Sequence, residues 1–180
     1  MEPFLTTTAH TIELRHYQHA DLATIRQTLL DVHTDAYADR MHEEFVQRFP
    51  WFVDHWGARA GFSCVIAYDH GTPVGFTYGA PCEPGREWWR EYLDPSPADP
   101  TTFSVSELML RPAWRKKRLG ERLHTALLHG RPEALAVLTV DTKRPRLQAM
   151  YEAWGYRKVG EQQPFPDSPL YAVMLLDLTA

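Results

Sequence analysis

The chain has 180 residues, enough for one domain with one sizeable core. Its hydrophobic content of 44% and charged content of 23% are those of an ordinary globular protein, and a net charge of -4 counts against a nucleic-acid binder. No apolar run is long enough to span a bilayer, and two cysteines, Cys64 and Cys82, make no disulfide framework, so a reduced cytoplasmic protein with no membrane role is expected.

Residues 1–10 carry an acid at Glu2 and no apolar signal core, so no secretion signal is read there. A strand is predicted over 11–16. Asp21 reads as an N-cap, and Leu22, Ile25, Leu29 and Val32 fall on one helical face. A second helical pattern over 41–49 is expected to stop at Pro50, with a short helical turn over 51–56 before Gly57. Residues 62–68 and 74–78 read as a hairpin around the turn Asp69-His70-Gly71-Thr72. The Pro-rich stretch 81–100 is a long insertion between strands. The histidines His10, His16, His19, His33 and His42 match no His/Cys zinc spacing, so no metal is expected.

The second half has stronger punctuation. A strand over 103–110 ends at Arg111-Pro112. Leu119, Leu123 and Leu127 then repeat at helical spacing until Gly130 and Pro132. Residues 135–140 form the short apolar run of a strand buried on both faces. Pro145 suits the first position of another helix, lined by Leu147, Met150, Tyr151 and Trp154 and capped at Gly155. Short strands are predicted near Val159 and over 171–178. The order predicts a single α/β domain over 1–180, with a mixed sheet of about seven strands and helices on both faces. A ligand site belongs where a strand's C-terminal end meets the next helix.

The informative segment runs from Ser106 through Glu107 to Gly120: a strand, a basic loop with Arg115, Lys116, Lys117 and Arg118, and a helix start. Unpaired N–H groups and the positive dipole end make a helix N-terminus an anion site. On local pattern alone, a phosphate site and a solvated basic turn are both open. The order Pro112, Arg115-x-x-Arg118-x-Gly120, Leu123 resembles the Q/R-x-x-G-x-G/A signature of the GNAT N-acyltransferases. The later Ala149-Met150-Tyr151-Glu152-Ala153-Trp154-Gly155-Tyr156 is similar to their L-Y-E-x-x-G-F motif. The resemblance covers about 103–178 and is only architectural before that. Two family glycine positions are occupied by Lys116 and Arg118, and the usual asparagine of the second motif by Arg144. An arginine suits its position if its φ is negative.

The resemblance implies acetyl-CoA, or a close acyl-CoA, as co-substrate. Its pyrophosphate would sit on Arg115, Lys116, Lys117, Arg118, Leu119, Gly120 and Glu121. The N–H groups near Met109 and Leu110 would polarise the thioester carbonyl. Glu107 stands at the family's general-base position, against the alternative of a solvent-facing strand residue. Tyr151 stands at the position of the tyrosine that protonates the departing sulfur, against that of a core aromatic. The family's direct attack demands no nucleophile. Ser104 and Ser106 form no G-x-S-x-G elbow, and Cys64 and Cys82 have no activating context.

By analogy the acceptor, a small-molecule or peptide amine, would border the 81–103 insertion. Trp88, Trp89 and Tyr92 are its pocket candidates, with pocket lining, helix packing and a dimer contact all open. Trp51, Phe52 and Trp56 are further wall candidates, and Glu43, Glu44 and Glu87 candidate acids for a cationic amine. The resemblance is compatible with a homodimer. A non-catalytic acyl-CoA sensor of the same fold and a nucleotide or nucleic-acid module are the competing functions.

Overall fold

The structure, a computed structural model, describes residues 11–180; the reading of the first ten residues lies outside them. The N-terminal strand β1 (Ile12–Gln18) leads through a 3-10 turn into α1 (Leu22–Ala36). Asp21 does precede α1, but its carboxylate accepts the Gln18 N–H at 2.8 Å rather than capping α1 itself. Two helices follow, α2 (Glu44–Gln47) and α3 (Phe49–Gly57). Pro50 therefore does not end a helix as expected. It sits in the first turn of α3, where the missing N–H costs no hydrogen bond.

The sheet has strand order β1-β2-β3-β4-β5-β7-β6, with β2 (Ser63–Asp69), β3 (Thr72–Pro81), β4 (Thr102–Leu110), β5 (Leu135–Asp141), β6 (Arg157–Gln162) and β7 (Tyr171–Asp177). The β2–β3 hairpin turns through His70 (φ 47°) and Gly71 (φ 81°), the paired positive φ that matches the twist of adjoining strands. All pairings are antiparallel except β4 with β5. Helix α4 (Leu119–Leu128) makes the crossover between those two, and α5 (Pro145–Ala153) follows β5.

Helical periodicity explains the layers. Ile25, Leu29 and Val32 of α1 join Phe49 and Val53 of α3 on one sheet face, against Cys64, Ile66, Phe76 and Tyr78. Leu119, Leu123 and Leu127 of α4, with Tyr151 of α5, cover the other face against Val65, Val105, Leu138 and Met174. The α1–α3 face leaves β5 and β7 uncovered, and there the 82–101 segment takes the place of a helix. Its Trp89 is fully buried among Leu135, Val137, Val173 and Leu175, and donates its indole N–H to Thr102 Oγ1 at 2.9 Å. Tyr92 packs on Gly160 and donates to the Glu161 carbonyl at 2.7 Å.

Replacing Trp89 with alanine removes a large core side chain and one buried hydrogen bond. The expected cost is about 3–5 kcal/mol by chemical denaturation. Trp51→Ala, at a position 53% exposed, is expected to change stability by less than about 0.5 kcal/mol.

Candidate active site

The site begins with a fault in β4. Tyr78 pairs with Glu107 and Gly79 with Val105, so Ser106 is an extra residue on β4, a β-bulge. Gly79 permits it: a Cβ there would lie 2.1 Å from the Ser104 carbonyl oxygen. The bulge reverses the alternation of the strand. Phe103 and Val105 before it, and Leu108 and Leu110 after it, all pack toward α4 and α5. Met109 packs toward α1 and α3, and Glu107, two residues earlier, shares that face.

The second consequence is a gap. β4 pairs with β5 only from Thr102 to Ser104, opposite Leu135 to Val137, and the strands then part. The β5-facing edge of β4 beyond Ser104 has no strand partner. A cavity of about 520 Å³ opens there, walled by residues 105–109 of β4 and 138–141 of β5. Glu107, Tyr151, Tyr37, Arg40, Asp141 and Arg144 converge on it.

Burial raises the Glu107 carboxyl to about 8. It is then mostly protonated at pH 7 and still able to exchange its proton near neutrality. Burial, reinforced by the neighbouring Glu107, likewise pushes the Tyr151 hydroxyl up, so it holds its proton. Tyr151 is fixed by packing: Trp154 and Tyr156 meet its ring edge-on at 5.2 and 5.7 Å. Tyr156 in turn shares a 2.8 Å hydrogen bond with His124, which burial lowers to about 4 and keeps neutral. His33 is lowered to about 4 in the same way, stacked on Phe49 at 4.0 Å.

At one end of the gap stands the basic loop. Lys116 and Arg118 both have φ 59°, the left-handed conformation that favours glycine. The expectation of a negative φ at Arg118 is therefore corrected. The loop keeps a glycine-like backbone path at both positions where the sequence lacks glycine, at a strain of about 1 kcal/mol each. A left-handed residue leading directly into helical ones, as Arg118 leads into α4, is a backbone geometry from which anion-binding concavities are built. The side chains divide. Arg115 ties the loop to the fold, donating to the carbonyls of Leu110 at 3.3 Å and Ala36 at 2.8 Å. Arg118 pairs with Glu121 at 3.1 Å in solvent, Lys116 and Lys117 are exposed, and Leu119 is buried as the helix anchor. A Cβ at Gly120, in the first turn of α4, would meet the Leu108, Leu110 and Trp154 side chains at 3.8 to 3.9 Å, ordinary contact distances.

Among the acceptor candidates, Trp88, Trp51, Phe52 and Trp56 line the cavity. Trp89 and Tyr92 do not: the hydrophobic demand of the bare β5–β7 face draws Trp89 into the core and Tyr92 over β6. The candidate acids are also elsewhere. Arg40 holds Glu43 bidentately at 2.7 and 2.8 Å, Glu44 is exposed, and Glu87 is buried against Arg90 at 2.6 Å. Sequence reading passed over Tyr37, Phe45, Asp141, Phe165 and Tyr171, which the topology brings to the cavity from segments far apart in the chain. Cys64 and Cys82 are free, with thiols that burial pushes up, Cys82 to about 12. Ser106 Oγ, on the cavity wall, has no hydrogen-bond partner within the protein. Among the described residues, no three His, Cys, Asp or Glu side chains are arranged to hold a metal, and no helix is long and apolar enough to cross a membrane.

Solved structures share this architecture at low identity. PaiA N-acetyltransferase of Thermoplasma acidophilum, in complex with coenzyme A, superposes with a TM-score of 0.59 at 15% identity, over 93% of this chain and 99% of that one. Arabidopsis thaliana NAA60 in complex with acetyl-CoA gives 0.64 at 14%, over 94% and 100%. Escherichia coli ElaA gives 0.65 at 13%, over 93% and 100%. No curated protein sequence matches significantly. A sequence model of the acetyltransferase (GNAT) family matches residues 22–156, from α1 through both motifs. The chain belongs to the GNAT acetyltransferase family.

Proposed function

We propose that the protein transfers the acetyl group of acetyl-CoA to an amine of a small acceptor by direct attack. The observation that carries this reading is the gap between β4 and β5, with Glu107 and Tyr151 on its walls and the basic loop and start of α4 following β4. The complexes of PaiA with coenzyme A and of NAA60 with acetyl-CoA, which share the fold, support the choice of co-substrate.

In this reading the N–H groups of residues 116–120 hold the pyrophosphate, and Lys116 and Lys117 lend charge. Glu107 in its ionised form accepts a proton from the ammonium of the acceptor. The amine nitrogen attacks the thioester carbon, a C–N bond forms, and the nitrogen loses its second proton to solvent. N–H groups on the open edge of β4, near Met109 and Leu110, meet the oxyanion. The C–S bond breaks, and the thiolate takes the Tyr151 proton, which solvent restores. The products are the amide, the CoA thiol and one proton.

A thermal-shift titration with acetyl-CoA tests the co-substrate: the melting temperature should rise with ligand by mass action, and no rise at millimolar ligand would sink the reading. Binding without turnover of any amine would favour a sensor. Gly120→Ala tests the helix start: alanine is the better helix former by about 1 kcal/mol and its methyl would make only ordinary contacts, so the variant should melt no lower than the parent.

Tyr151→Phe removes only the hydroxyl and should lower kcat about a hundredfold in a thiol-release assay, with acetyl-CoA still raising the melting temperature.

Glu107 supplies a pH test. Its folded-state value lies above the ordinary 4.5, so the native state holds the extra proton. Its contribution is fully present below about 4.5 and is lost as pH rises toward about 8. Glu107→Gln should therefore gain stability relative to the parent between pH 5 and pH 8. The parent's kcat/KM should rise through about pH 8, and the variant should lack that limb.

A further inference from the structure

The cavity continues past Glu107 into a region whose walls are aromatic and belong to four separate segments. Phe45 comes from α2, Phe52 and Trp56 from α3, Trp88 from the 82–101 segment and Phe165 from the β6–β7 loop. Phe45, Phe52 and Phe165 form a triangle, with ring centroids 5.7, 5.9 and 6.4 Å apart and planes tilted by 53° to 67°. Trp56 and Trp88 meet at 5.8 Å in a T-shape. All five are only half-buried, whereas the core aromatics Phe76, Tyr78, Trp89 and Phe103 are fully enclosed. Five large aromatics left half-covered around one cavity, with a titratable carboxyl on its wall, are the makings of a ligand wall rather than of a core.

The charges narrow the ligand further. Glu107 is mostly protonated at pH 7. Glu43 is neutralised by Arg40, and Arg144 reaches the cavity with no carboxylate of the described residues within ion-pair distance. Asp141 is the remaining acid on the wall among the described residues. A polyamine would have to place several positive charges beside Arg144, with Asp141 as the acid left to balance them. The Arg48 guanidinium bonds Asp167 at 2.7 Å and lies over the rings of Phe45 and Phe165 at 5.2 and 5.4 Å, so the β6–β7 loop is fastened onto α2 and α3. An extended peptide chain has to leave the site, whereas a compact molecule does not.

We infer that the acceptor is a monoamine bearing an aromatic ring on a short tether, the ring held among Phe45, Phe52, Phe165, Trp56 and Trp88 and the amine directed to Glu107. This rests on the acetyltransferase reading for the fate of the amine, but the cage can be tested without turnover.

Two measurements decide it. With acetyl-CoA and thiol release, 2-phenylethylamine is expected to exceed ethylamine, spermidine and the free N-terminus of a tetrapeptide in kcat/KM by about tenfold or more, the worth of burying one phenyl group. Phe165→Ala, on a loop outside the core, should erase most of that preference through KM while acetyl-CoA still raises the melting temperature. Phe165→Leu should restore part of it. In parallel, 2-phenylethylamine added with CoA should perturb tryptophan fluorescence, and Trp88→Phe should reduce the signal. Equal or better use of spermidine or the peptide, or a preference unmoved by Phe165→Ala, overturns the inference. So does the absence of any fluorescence response in the parent protein. A fluorescence response without acetylation of any amine would keep the cage and remove the acetyltransferase reading instead.

Discussion

One extra residue in β4 governs the arrangement of this molecule. Ser106 has no place in the ladder with β3, so the strand buckles there and its alternation reverses. A regular strand would send Glu107 toward α4 and α5, with Val105. The bulge sends it to the opposite face, where the α1–α3 side of the sheet ends in an open cavity. The same disturbance lies just past the point where β4 leaves β5, so the gap and the carboxyl that faces it share a cause. Gly79 is the necessary partner, since any side chain there would strike the β4 backbone.

Opening a sheet in its middle leaves polar backbone and apolar side chains without neighbours, and the rest of the fold answers to that. The loop before α4 passes through two left-handed residues that are not glycine, and Arg115 holds it by two carbonyls, one of them at the end of α1. A strained loop persists only where surrounding contacts fix it, and here Leu119 and Arg115 supply those contacts. Desolvation in the gap keeps both Glu107 and Tyr151 in their protonated forms near neutrality. A carboxyl raised in this way costs stability as pH rises, a cost typical of groups retained for chemistry rather than for folding.

The 82–101 segment shows how the fold closes without a helix. β5 and β7 present Leu135, Val137, Val173 and Leu175 on a face that α1 and α3 do not reach, and Trp89 fills it. Its neighbour Trp88, one residue earlier, packs only partly against the same cluster and meets Trp56 at the cavity. One of two adjacent tryptophans is thus core and the other shared between core and cavity wall.

The sequence by itself determined the element order, the single mixed α/β domain and the two motifs around residues 115–120 and 149–156, because these depend on local periodicity, Pro and Gly punctuation and short spacings. It located Glu107 and Tyr151 on their elements for the same reason. It did not determine the direction of Glu107, since a bulge is a matter of register between two strands and leaves no mark in either one. It read Lys116 and Arg118 as departures from a glycine pattern, but the left-handed φ they adopt is imposed by the anchored ends of the loop. It could not divide Trp88 from Trp89, nor bring Phe45 and Phe165 together across 120 residues, because which aromatic is core and which is wall depends on the face left bare by elements elsewhere in the chain. Tertiary structure alone decided these, through long-range burial and strand pairing that no local pattern encodes.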